Sequence, residues 1–174
     1  MRISASVLLA VLALAGSTAQ AQDAAKPEAD VCASFDWPLA REQAWFSAPD
    51  LPVLVSGANL PVERPAATLT LKPSAEADLP QVPSRAPKPG SFSGYVLVAA
   101  PPAPGQVQVT LSGEGWIDVA EEGGAPLKPG AHSGRRGCVS LRKSVRFAVG
   151  TKPLVVIVSN AAAQTLRIAV TPVD

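Results

Sequence analysis

Apolar positions along this chain recur mainly with period two. Val107, Val109 and Leu111 alternate with Gln106, Gln108 and Thr110, the pattern of a strand buried on one face. Ala67, Leu69 and Leu71 alternate in the same way with Thr68, Thr70 and Lys72, and Leu166, Ile168 and Val170 flank Arg167. Lys143 to Val149 sets Val145, Phe147 and Val149 on one face, with Lys143 and Arg146 assigned to the other. Ser93 to Ala99 and Trp116 to Ala120 are short and rich in β-formers. Leu154 to Val158 is apolar throughout, as expected of a strand buried on both faces or crossing the core. With a further extended piece at Pro52 to Ser56, the spacing predicts seven or eight strands separated by Gly and Pro. This is the pattern of an all-β antiparallel sandwich of jelly-roll character.

One short N-terminal α-helix interrupts this pattern, within Asp36 to Ser47. Asp36 is placed to accept from the free amides of a first turn, where Pro38 is tolerated. Trp37, Ala40 and Ala44 recur at helical spacing, as do Leu39 and Phe46, while Arg41, Glu42 and Gln43 are polar. Pro49 and Pro52 end the helix. From Pro49 to Pro104, 12 of 56 residues are proline, which excludes long helices and central strands. The segment reads as chain wrapping a sheet, with Ala75 to Gly90 a surface loop. Ser112 to Gly115 and Glu121 to Gly130 carry turn chemistry.

The N-terminus follows a different logic. Arg2, the apolar run Val7 to Leu14 and Ala19-Gln20-Ala21 form an export signal, with cleavage after Ala21. Residues 22–31 read as a flexible lead-in, and 32–174 as a single domain. Removing 21 of 174 residues leaves 153, enough for one core. The exported part is close to neutral, which argues against a nucleic-acid partner. No later apolar run is long enough to span a membrane. The expected location is periplasmic or extracellular. There, Cys32 and Cys138 read as a disulfide, without the spacing of a redox or metal motif.

Candidate chemistry is sparse. His132, the single histidine, sits in Gly130-Ala131-His132-Ser133-Gly134, a loop by composition, and reads as a surface residue rather than a catalytic base. One histidine is too few for the usual zinc or non-haem iron sites, so no metal or cofactor is expected. Arg135, Arg136, Arg142, Lys143 and Arg146 place five positive charges in 12 residues. They suggest an anion site for a lipid head group, a glycan or an acidic partner. The favoured alternative is a solvated face neutralised by Glu114, Asp118, Glu121 and Glu122. Those acids match no calcium-loop spacing and do not by themselves make a glycosidase pair. Trp37, Trp45 and Trp116 read as packing residues rather than a sugar platform.

The order SGYVLV, GQVQVTLSGEGWIDV, RKSVRFAV, PLVVIVS and TLRIAV resembles small secreted jelly-roll modules such as the bacterial pre-peptidase C-terminal domain, over Ser91 to Val173. With FDWPLAREQAWF and GCVSLRKSVRF, the chain from Cys32 to Val173 also resembles uncharacterised exported proteins of Gram-negative bacteria. The aspartate-rich middle strand of the pre-peptidase modules is missing, and no functional motif carries over. The resemblance implies a fold and no activity. The expectation is a non-enzymatic envelope protein, structural or protein-binding, or alternatively a module for an anionic glycan or lipid head group.

Overall fold

A computed structural model describes residue 27 and residues 31 to 173 of the chain. The expected export signal, its expected cleavage point and most of the expected 22–31 lead-in lie outside the described residues. Helix α1 (Ala40–Ser47) precedes ten strands: β1 (Val53–Val55), β2 (Ala66–Thr70), β3 (Lys72–Pro73), β4 (Phe92–Val98), β5 (Gly105–Leu111), β6 (Trp116–Glu121), β7 (Pro129–Gly134), β8 (Lys143–Val149), β9 (Leu154–Ala161) and β10 (Thr165–Pro172). They form a six-stranded sheet, β1-β2-β10-β5-β8-β7, facing a four-stranded sheet, β3-β4-β9-β6. All pairings are antiparallel except β1 with β2. Strands β4, β5 and β6, and then β8, β9 and β10, alternate between the sheets, so their connections cross the ends of the sandwich as in a jelly roll.

The period-two pattern explains the core. Val107, Val109 and Leu111 of β5 pack with Val145 and Phe147 of β8 and Ile168 of β10 against Val156 and Val158 of β9. Strand β9 is central in the smaller sheet and buried on both faces, with Ile157 fully covered on the side away from this core. The loop expected at Ala75 to Gly90 lies beside that sheet. Ser84 bonds the Asp118 carboxylate through its amide and its hydroxyl. Asn160, in the left-handed region at φ 55°, accepts from the Lys88 amide and donates to the Ala86 carbonyl.

A second apolar cluster lies on the outer face of the larger sheet. Phe35, Leu39, Phe46, Cys32, Cys138 and Leu141 pack there over Ala66 and Ala169. The Cys32–Cys138 disulfide closes this layer, as expected from the sequence.

Five sequence expectations are corrected. Two strands go unread: β3, where the chain leaves one sheet for the other after Leu71, and β7, whose Gly-rich composition suggests a loop. Lys143 shares the inner face of β8 with Val145, because positions two apart on a strand point the same way. Helix α1 begins at Ala40 behind Leu39, without a side-chain cap, and Asp36 lies outside it. Its buried face is Leu39, Glu42 and Phe46, spaced i, i+3 and i+7, while Ala40 and Ala44 are exposed. Glu42 turns inward because the sheet beneath it supplies hydrogen-bond donors. No helix among the described residues is long and apolar enough to cross a membrane.

Candidate functional site

The five cations of the 135–146 segment do not share one surface. Strand alternation sends Arg146 to the outer face of the larger sheet, where it stacks 4.2 Å from the centre of the Trp37 ring. Arg135 leaves β7 toward the segment before α1. There it donates to the Ser34 carbonyl and pairs with Asp36 at 2.9 Å. Hydrogen bonds from Ser133 and then Arg135 hold the Asp36 carboxyl below its usual range. Arg142 donates to Glu114 at 2.7 Å. Arg136 is exposed.

Of the four acids expected to neutralise this cluster, Glu114 pairs with it. Asp118 is engaged by Ser84 and Trp116, and Glu121 accepts from the Gly150 amide at 2.6 Å. Asp36, far away in sequence, takes the second pairing.

Lys143 and Trp116 define a small site at one end of the sandwich. The Lys143 amine donates to the Gly115 carbonyl at 2.8 Å and lies 5.6 Å from the Trp116 ring centre. Arg85, from the surface loop, lies 4.0 Å from the same ring centre. Burial lowers the Lys143 pKa; Glu114 opposes this and the nearby charges of Arg142 and Arg85 add to it. A hollow of about 150 Å³ beside the lysine is lined by Trp116, Ile117, Pro129, His132 and Val145. His132 is an exposed edge-strand residue opposite Val145, not a loop residue. Trp37 and Trp45 belong to the helical layer on the opposite side of the larger sheet, so the three tryptophans form no common platform. Trp37 donates to Ser144 Oγ at 3.3 Å. Among the described residues, no three His, Cys, Asp or Glu side chains gather as metal ligands.

The opposite end of the sandwich carries a cleft that the motifs did not announce. The β4–β5 connection Ala99-Ala100-Pro101-Pro102-Ala103-Pro104 and the β1–β2 connection at Leu60 to Pro65 form its walls. Core residues Val107, Val149, Leu154 and Val170 form its floor, and Val173 closes one side. The cleft holds about 360 Å³. The available signal was the uncharged Ala/Pro run between two strands. Loops are ordinarily polar, so such a run marks an apolar surface held rigid by fixed backbone angles.

Comparison of the chain with protein-family models, curated proteins and solved structures finds no match to any of them. The likeness to exported jelly-roll modules therefore rests on the sequence order quoted above.

Proposed function

We propose that this chain is an exported, non-enzymatic binding module of the bacterial envelope, working in the periplasm or outside the cell, and that its contact site is the proline-lined cleft. The observation that carries the reading is the cleft itself, concave, apolar and floored by the core, as small-molecule and partner sites are. The export signal and the long-range disulfide support the compartment. Most of the charged groups singled out in the sequence are engaged within the fold, which leaves the cleft as the better contact surface. The test is titration with the uncharged probe N-phenyl-1-naphthylamine, whose emission rises in apolar sites. Binding at one site, lost in Ala100→Asp, supports the reading. Binding unchanged in that variant, or none at all, overturns it.

A second reading, an anionic glycan or lipid head group, draws on one specific arrangement. Arg85 and Lys143 both lie against Trp116, with Arg142 close by. Binding of this kind would then run through Arg85, Trp116 and Lys143 more than through the 135–146 segment as a whole. Polygalacturonate binding that Arg85→Ser abolishes and Arg136→Ser preserves supports it. Failure to bind polygalacturonate or anionic vesicles rejects it.

A further inference from the structure

The lining of the cleft selects among apolar occupants. Among the described residues, Gln106 is the one polar side chain in it, and no charged residue lines it. Six lining residues, Pro61, Pro65, Pro101, Pro102, Pro104 and Pro172, have no backbone N–H to offer. The amides of Leu60, Val170 and Val173 already donate to the carbonyls of Leu97, Pro65 and Gln106. An extended peptide joining a sheet edge needs a row of main-chain donors and acceptors, and this rim supplies few donors. A hydrocarbon chain needs none.

The size and surroundings of the cleft narrow the choice further. Its volume of about 360 Å³ is somewhat more than twice that of an apolar cavity able to hold a benzene ring, which gives room for roughly a dozen carbons. Because the floor is the inter-sheet core, a chain entering between the strand ends continues that core and loses contact with water along its length. A second hollow shares Leu60, Val62, Val98, Ala99 and Leu154 with the cleft and adds Asn59 and Glu122. These two side chains offer hydrogen bonds to hydroxyl groups, and the Glu122 carboxylate repels an anion. We infer that the cleft takes one linear alkyl chain of a neutral amphiphile, with its polar head beside Asn59 and Glu122. The inference rests on the cleft being the contact site.

The test is calorimetric titration of the protein with n-alkyl maltosides of six to fourteen carbons, each kept below its micelle-forming concentration. Affinity is expected to rise about fourfold with each added methylene and to level off near a dozen carbons. Ala100→Asp and Val62→Asp, at exposed positions, are expected to weaken binding at least tenfold while leaving circular dichroism and the melting curve unchanged. Affinity independent of chain length, or equal in both variants and the parent, overturns the inference. If the maltosides fail while the phenylnaphthylamine probe still binds and Ala100→Asp abolishes it, the cleft is a contact site for other apolar groups, such as a peptide side chain. The alkyl assignment then falls and the reading above stands. Failure of both probes removes both.

Discussion

Gln108 of β5 donates its side-chain N–H to Glu42 Oε1 of α1 across 2.8 Å, with both residues buried. Thr171 of β10 reaches the same oxygen at 2.7 Å. Behind Gln108, the Arg146 guanidinium lies 3.4 Å from its carbonyl oxygen and stacks on Trp37. A carboxylate from the helix, an amide and a hydroxyl from the sheet, and a cation beyond them thus form one line through the layer. Burying a carboxylate is unfavourable unless it is well bonded, and here two donors converge on one oxygen. Apolar contacts of Leu39 and Phe46 hold the helix down but have no preferred direction. The polar line sets its orientation on the sheet.

Removing that carboxylate should be costly in a graded way. Glu42→Ala leaves Gln108 and Thr171 as buried donors without an acceptor and opens a cavity. The expected loss is about 2–4 kcal/mol. Glu42→Gln keeps an acceptor in place but gives up the charge, for about 1–2 kcal/mol. Urea unfolding of the three proteins checks the order. Equal losses for the two variants would mean that the hydrogen bonds contribute little.

The disulfide joins residues 106 apart in sequence. Closing so long a loop restricts the unfolded chain, and the chain-entropy account gives about 4–5 kcal/mol. The double variant Cys32→Ser, Cys138→Ser should lose most of this, as should the reduced parent. Denaturant midpoints with and without reductant measure it. Because Cys32 and Cys138 pack with Phe35, Phe46 and Leu141, the emission of Trp37 and Trp45 in the same layer should change before that of the sandwich.

The sandwich was legible wherever one face meets water. Alternation marked β5, β8 and β10, and an unbroken apolar run marked β9, because side-chain direction in a strand depends only on parity. Strand β7 was not legible: Pro129-Gly130-Ala131-His132-Ser133-Gly134 has no apolar face, and its pairing comes from Lys143 to Phe147 beside it. Glu42 misled for the same kind of reason. A helix pattern assigns polar residues to solvent, and only tertiary contact reveals that Gln108 and Thr171 wait beneath. The basic cluster was visible as a run of charges, but strand parity, Asp36 and the Trp37 ring decide where each cation goes. The cleft depends on which loops meet at one end of the sandwich, a property of topology that local pattern does not encode.

Glycine at position 94 is required by close approach. A Cβ there would lie 2.9 Å from Leu71 Cδ2 and 3.0 Å from Ser56 Oγ. Gly94→Ala should therefore destabilise the protein by about 1–3 kcal/mol through overpacking. Gly105, at the edge of the cleft, would place its Cβ in open space, and Gly105→Ala should be close to neutral. Thermal melts of the pair test the contrast. A neutral Gly94→Ala would show that β4 shifts freely against Leu71.

Lys143 gives the fold an alkaline response. Its amine titrates below the ordinary lysine value of 10.5, chiefly because it is buried. Between the folded value and 10.5 the unfolded chain binds more protons than the folded one, so stability rises with pH across that window. At neutral pH the full cost of holding the charged amine is present. Lys143→Met removes both the cost and the slope. The stability of the parent relative to Lys143→Met should therefore climb as the pH approaches 10.5, measured by urea unfolding at several pH values. A difference that stays flat would show that the amine is fully solvated.

Asp36 gives the opposite response in acid. Hydrogen bonds from Ser133 and Arg135 favour its ionised form, so its folded pKa lies below the unfolded one. The stabilisation is complete above the ordinary carboxylate value and is lost as the pH falls through the lower, folded value. The parent should thus exceed Asp36→Asn in stability at neutral pH and converge with it in acid. Because the Asp36 carboxylate is exposed, added salt should shrink the difference as well. The pair ties β7 to the segment between Cys32 and α1, so its release should show as faster amide exchange at Ser34 and Asp36 ahead of the core strands. Exchange that stays uniform from neutral to acid pH would show that Arg135 holds this segment through the Ser34 carbonyl alone.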